Sequence, residues 1–326
     1  MFQVLLIADF YQKFGLKEFG TLRISRLMNY HITVLLNEAV EALSLRPSGI
    51  YVDATFGGGG HSRLIISQLD TDSKLFGFDQ DADARRNLPT DEPRFHFINH
   101  NFREIKRLLR LEGVRSVDGI LADLGVSSHQ LDDAERGFSY RFDAALDMRM
   151  NQSNGRTAAD ILNKASVEEL QRILSEYGEV RNSRTLAQAI VQARSNKRFK
   201  TINDFLAISD PLSMGEKMRY RSQVFQALRM EVNDEIGALK DFLQQSLAVL
   251  KPGGRLSIIT FHSIEDRLVK NFMKSGNFDG TLETDFYGNI TRPFKVITKK
   301  PIEPTAEETR VNPRSRSAKL RIAEKI

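Results

Sequence analysis

Residues 49–63 read GIYVDATFGGGGHSR, and the fold of the chain turns on this stretch. Three apolar positions, Ile50, Tyr51 and Val52, run into an acid, Asp53, and a run of glycines from Gly57 to Gly60 follows. Beyond them Leu64, Ile65, Ile66 and Leu69 recur at helical spacing. The pattern predicts a buried strand, a tight glycine turn and a helix, and glycine, lacking a Cβ, lets the turn's main chain lie directly against a ligand. Turns of this kind serve many chemistries. A phosphate loop needs G-x-x-x-x-G-K-[ST], and no Lys-Ser or Lys-Thr follows these glycines, so that reading is excluded. The dinucleotide fingerprint G-x-G-x-x-G, begun at Gly57, would require glycine where Ser62 stands.

Counted from Asp53, Thr55, Gly57 and Gly59 stand two, four and six residues on. This spacing resembles the first motif of S-adenosylmethionine-dependent methyltransferases, with Thr55 in place of the first glycine. The next apolar run, Leu75 to Phe78, ends in Asp79, where one carboxylate can accept hydrogen bonds from two ribose hydroxyls. Dehydrogenases place an acid similarly, so Asp79 separates these families poorly.

The chain has 326 residues, 41% hydrophobic, enough for one large domain or two medium ones with a real core. No run approaches the ~18 to 20 apolar residues of a membrane span, so a soluble, cytoplasmic protein is expected. Cysteine is absent. That fits a reducing compartment and removes disulfides, thiolate metal sites and the cysteine nucleophile with which enzymes methylating C5 of cytosine generally attack the ring. His96 and His100 are the one close histidine pair; at a spacing of four along a strand they stand far apart, and no metal site is expected. The net charge of +5 permits a nucleic-acid partner without requiring one.

From Ile50 to Ser128 strands at 50–54, 75–79, 95–99 and 119–124 alternate with helical stretches near 61–70, 81–88 and 102–112, which implies parallel strands with right-handed crossovers, half of a doubly wound α/β sheet. The rhythm then stops. Residues 132–232 read as a helical insertion, with SVEELQRILSEYG a capped helix starting at Ser166 and ending near Gly178. Strand signals resume at 255–261 after the turn Lys251 to Gly254, so the sheet is resumed rather than restarted. The expected organisation is a Rossmann-like domain of 28–131 and 233–326 interrupted by the insertion 132–232. Residues 1–27 are expected to be an N-terminal extension, disordered or not native, a point for a mass measurement on the native protein. Segments 294–298 and 318–323 are strand candidates for an antiparallel close of the sheet, joined by a long surface loop containing Pro301, Pro304 and Pro313. The helix at 234–250 either packs internally or offers a homodimer face.

Beyond the glycine turn, five further blocks carry a resemblance: FDQD at 78–81, DGILADLGVSSHQLDDAERGFS at 118–139, LDMRM at 146–150, YRSQVFQALRMEVNDE at 220–235 and TFHSIEDR at 260–267. Together they resemble the bacterial ribosomal RNA small-subunit methyltransferase H (MraW) family over about Met28 to the C-terminus. The resemblance implies a class I S-adenosylmethionine-dependent methyltransferase fold and methylation of N4 of a cytidine in the decoding centre of 16S ribosomal RNA, within the small ribosomal subunit. It places cofactor contacts at Gly59, Gly60, His61, Asp79, Phe102, Asp123 and Gln130: the glycine turn for the methionine part, Asp79 for the ribose, Phe102 for an adenine face.

An exocyclic cytosine amine is a poor nucleophile, because its lone pair is spread into the ring. A site must align it with the sulfonium methyl and accept its hydrogen bonds, with no covalent intermediate. Main-chain carbonyls of DLGVSS or Ser127 are the candidate acceptors, with Asp147 or His262 closing the site; pairing of Asp147 with Arg149 is the plainer alternative. Arg181, Arg184, Arg194, Lys197, Arg198, Lys200, Lys217, Arg219 and Arg221 are the candidate RNA-phosphate contacts. An oxidoreductase on the same half-sheet, an RNA-binding ribosome-assembly factor, and a methyltransferase for another RNA or a protein are the competing functions.

Overall fold

A computed structural model describes residues 33–153, 155–282, 284 and 292–326. The segment 1–27 lies outside the described residues. Seven strands form one sheet: β1 (Ile50–Asp53), β2 (Lys74–Phe78), β3 (Phe95–Ile98), β4 (Val117–Asp123), β5 (Leu250–Thr260), β6 (Phe294–Val296) and β7 (Lys319–Lys325), in the order β3-β2-β1-β4-β5-β7-β6. The first five are parallel, and β7 runs antiparallel to both β5 and β6. Chain order reverses between β1 and β4, which opens a crevice at their carboxyl ends, the place where such sheets bind ligands.

Alternation along each strand supplies a core on either face. Val52, Phe76, Ile120 and Ile258 face α3 (Ile105–Leu111), α10 (Glu235–Val249) and α11 (Ser263–Ser275). Their neighbours Tyr51, Leu75, Leu121 and Ile259 face α1 (Leu36–Glu41) and α2 (Gly60–Gln68). Phe242, Leu243 and Val249 of α10 are buried in the first of these cores, so its apolar face is used internally.

Between β4 and α10 the chain builds a third core, from Phe138 to Leu228, around α5 (Ala158–Lys164), α6 (Val167–Glu176), α7 (Ser183–Asn196), α8 (Ile202–Ser209) and α9 (Lys217–Val232). A short α4 (Ser128–Asp132) leads into it. Ser166 caps α6 through a hydrogen bond from Glu169 N, as its sequence signature predicts.

Two expectations are corrected. The turn Lys251 to Gly254 lies inside β5: Val117 pairs with Leu250 while Gly119 pairs with Arg255, so the extra residues bulge out of the ladder, with Gly253 at φ +74° permitting the excursion. The proline-rich connection before β7 is not an open loop, for it holds α12 (Ala306–Val311), capped where Thr305 accepts from Glu308 N at 3.1 Å. Pro304 sits just ahead of that cap, where a proline costs a helix nothing.

Candidate cofactor and acceptor site

The glycine turn is pinned from three directions. Phe56 N donates to Phe78 O (2.8 Å), Gly57 N to Asp79 Oδ2 (2.8 Å), and Asn87 Nδ2 to Gly57 O (2.9 Å). Gly59 stands at φ +74°, and a Cβ on Gly60 would fall 1.8 Å from Thr33 Oγ1, so neither position accepts a side chain without rearrangement. Thr55, the departure from the methyltransferase spacing, has a task of its own: its Oγ1 accepts from Asp123 N at 2.6 Å and ties the tip of β1 to that of β4.

Three acids gather along this edge. Asp53, buried at the end of β1, accepts from Ser62 Oγ (2.7 Å) and Thr55 N (3.1 Å). Asp79, just past β2, accepts from Asp81 N and Gly57 N, both at 2.8 Å, leaving lone pairs on both oxygens. Burial pushes both carboxyls up to about 6, against these hydrogen bonds. Asp123, at the end of β4, is raised well above the usual carboxylate range by burial and then by the charges of Asp53 and Glu265, and its Oδ1 is buried with no hydrogen-bond partner among the described residues. Among the described residues none of the three forms a salt bridge. An unpaired buried carboxylate oxygen at the head of a ligand crevice is costly unless a ligand meets it.

The other positions assigned to the cofactor lie along the same carboxyl edge. Phe102, half-buried in the turn after β3, meets Phe242 edge-on at 5.0 Å between centroids. Gln130, buried, donates to Asp81 Oδ2 (2.8 Å) and accepts from Ser127 N (3.1 Å). His61 is buried with its Nε2 3.2 Å from Val34 O, so its ring points into the protein.

Each acceptor candidate is held by neighbours of its own. Ser127 forms a capping box with Gln130 at the start of α4, its Oγ taking Gln130 N at 3.2 Å. His262 caps α11: Nδ1 takes Glu265 N at 3.4 Å, while Nε2 lies 3.0 Å from Glu265 Oε1 without the alignment of a hydrogen bond. Asp147 is gripped by Arg149 through Nε and Nη2, both at 2.8 Å; burial would raise its carboxyl, but the guanidinium wins and holds it below the ordinary value. Asp147 therefore shares surroundings with Arg136, on the Asp81 side, and His262 with Glu265, on the Asp123 side.

The sequence reading missed Glu265 and Arg229. Burial would raise Glu265, yet His262 and Arg229 more than offset it and lower its carboxyl. Glu235, His262 and Glu265 bring ligand atoms within 4.8 Å of one another, a metal-like arrangement, but Arg229 donates to both oxygens of Glu235 (2.8 and 2.9 Å) and supplies the positive charge there. The H-x-x-E spacing of His262 and Glu265 was the available signal, since it is a helix-start pattern. Of the candidate phosphate contacts, Arg194 is spent on the carbonyls of Leu162 and Ala165, Lys197 pairs with Asp204, and Lys217 and Arg221 pair with Asp210.

The strand order, the antiparallel β7 and an acid-lined glycine turn at the switch point define a class I S-adenosylmethionine-dependent methyltransferase. Comparison narrows this further. The chain belongs to the MraW methylase family, whose sequence model matches residues 28–326. It is 56% identical over 299 residues to ribosomal RNA small subunit methyltransferase H of Parabacteroides distasonis, covering 91% of this chain and 98% of that one. It is also 56% identical over 298 residues to the protein of that name from Cytophaga hutchinsonii, covering 91% and 99%. Among solved structures, an rRNA methylase from Streptococcus thermophilus aligns over 91% of this chain and 99% of its own, at 10% identity and a TM-score of 0.41.

Proposed function

We propose that this methyltransferase moves a methyl group from S-adenosylmethionine to the exocyclic N4 of a cytidine in 16S ribosomal RNA, acting on small ribosomal subunits in the cytoplasm. The observation that carries the site assignment is the buried, unpartnered Oδ1 of Asp123 beside the glycine turn. Bound S-adenosylmethionine supplies an electrophilic methyl on a sulfonium. Asp123 takes the ammonium of its methionine part, and Asp53 and Asp79 add to a negative edge that favours a cation. Asp79 receives the ribose hydroxyls on its free lone pairs, Phe102 covers the adenine, and Gly59, Gly60 and His61 meet the ligand through main chain. Gln130 holds the edge together through Asp81.

With Ser127 Oγ, His262 Nδ1 and both Asp147 carboxylate oxygens engaged within the protein, we assign these residues to aligning the acceptor rather than to moving protons. Alignment of N4 with the methyl, and main-chain carbonyls accepting from the amine, then supply the catalysis. The insertion 132–232 is assigned to RNA recognition, through Arg181, Arg184, Arg198, Lys200 and Arg219.

Labelled methyl transfer to small subunits lacking the modification, with naked 16S RNA beside them and nucleoside analysis afterwards, tests this reading. N4-methylcytidine from subunits supports it. Absence of label despite cofactor binding turns the reading toward an assembly factor, and label in another nucleoside or in protein toward a different acceptor.

A further inference from the structure

We propose that Arg136 is a positioning residue, a joint through which an occupied cofactor edge holds the segment around Asp147 in its acceptor-ready shape; this rests on the methyl-transfer reading above. Arg136 ends a short turn after α4 and is 3% exposed. One side of its guanidinium faces acids that follow the ribose-binding candidate: Nη2 lies 2.8 Å from Asp81 Oδ2 and Nη1 3.2 Å from Asp83 Oδ2. Asp81 is in turn bonded to Asp79 through its own N–H, at 2.8 Å. The other side faces LDMRM, with Nη2 donating to the carbonyls of Arg149 and Met150, both at 3.1 Å.

Backbone strain in that segment points the same way. Met148 stands at φ +62°, a conformation unfavourable for a side chain with a Cβ and retained only where the surroundings over-determine it. Arg136 O accepts from Met148 N (3.1 Å), and Asn233 accepts from Met150 N and donates to Met148 O, both at 2.8 Å. Asp147 and Arg149 flank the strained residue and grip each other. The strained loop is thus held against Asn233 on one side and, through Arg136, against the acids of the cofactor edge on the other. A guanidinium suits the joint because its planar fork reaches several acceptors at once, which a lysine ammonium on a flexible stem cannot reproduce.

If Arg136 served stability alone, its replacement would lower the melting temperature and leave the two ligands' mutual influence unchanged. The test therefore measures coupling. Binding of unmodified small subunits is titrated with and without S-adenosylhomocysteine, in the wild type and in Arg136→Lys. In the wild type the cofactor product is expected to tighten subunit binding by ~5-fold or more, within the usual range of coupling between sites. In Arg136→Lys the factor is expected to fall below about 2-fold, while affinity for S-adenosylhomocysteine alone moves less than about 3-fold. Turnover per cofactor-titrated active site is expected to drop about 10-fold.

Wild-type coupling retained in the variant overturns the proposal, and so does an absence of coupling in the wild type. Should Arg136→Lys fail to fold, Asp83→Asn removes one arm of the joint at a residue whose side chain is 25% exposed. A reduced coupling factor there supports the proposal, and an unchanged one overturns it. The coupling is read by binding, so failure of the wild type to methylate subunits would sink the functional reading separately.

Discussion

Asp53, Asp79 and Asp123 at the strand ends of the cofactor edge and the acids of the helical insertion are held in opposite ways. Along the edge, among the described residues, Asp53 and Asp79 accept only from main-chain N–H groups and a serine hydroxyl, Asp123 Oδ1 accepts from none, and all three carboxyls are raised. In the insertion, Asp147 pairs with Arg149, Asp160 with Lys164, Asp204 with Lys197 and Asp210 with Arg221, and all four are lowered. An acid with its own cation is satisfied and holds structure in place. An acid without one is poised for a cation or hydroxyl arriving from outside, which supports the proposed ligand site at the sheet rather than one in the insertion.

The largest expected effect breaks the edge. Asp79→Ala removes the charged acceptor proposed for the ribose, so S-adenosylmethionine affinity should fall by about 2–3 kcal/mol, roughly 30- to 150-fold. Titration calorimetry measures this, with circular dichroism confirming that the fold persists. Weakening of less than about 3-fold would remove Asp79 from the ribose site.

The pH response should carry opposite signs in the two regions. With carboxyls at about 6 in the folded chain against ~3.9 unfolded, Asp53 and Asp79 bind protons more readily when folded. Their contribution to the stability of the ligand-free protein is therefore fully present below ~3.9 and lost as pH rises to about 6. Asp160 and Asp204, at about 2, contribute stability that is present above ~3.9 and lost as pH falls toward 2. Asp53→Asn should thus gain in urea midpoint relative to wild type as pH climbs from 4 to 7, and Asp204→Asn should lose its deficit on acidification. If Asp79 receives the ribose as a carboxylate, cofactor affinity should weaken as pH drops through about 6, and Asp79→Asn should flatten that dependence.

A smaller effect sharpens the comparison at Asp147. Its grip on Arg149 reads as structure, so Asp147→Asn should slow turnover about 10-fold through misplacement of the acceptor, with cofactor affinity within about 2-fold of wild type. A loss beyond ~1,000-fold at unchanged melting temperature would instead make the carboxylate part of the chemistry.

How much of this was legible in the sequence follows from interaction range. Strand, glycine turn and helix were legible because each is written in neighbouring residues: the run into Asp53, the glycines, the apolar spacing of α2. The resumption of the sheet at β5 was legible for the same reason. Arg136 was not, since its partners stand at 81, 83, 149 and 150, and only the folded chain brings them together. The same holds for Arg229 against Glu265, which lies beyond β5. Helix α12 was missed for a different reason: three prolines drew the reading toward a loop, although the T-x-x-E signature at 305–308 was in plain view.

The basic residues of the insertion carry the smallest expected effect and test the comparison from the other side. Lys197, Lys217 and Arg221 are already paired with acids, so an RNA phosphate must compete with Asp204 or Asp210 for them. Arg198 and Lys200 flank Phe199, which is buried in the insertion's core. No salt bridge engages either of them among the described residues. If they meet phosphates, Arg198→Ala and Lys200→Ala should each lower the slope of log affinity against log salt by about 1, while Lys197→Ala changes it by much less. Equal slopes for all three would mean that RNA reads the net charge of this face rather than its free cations, and the division between paired and unpaired charge would then hold for the cofactor edge alone.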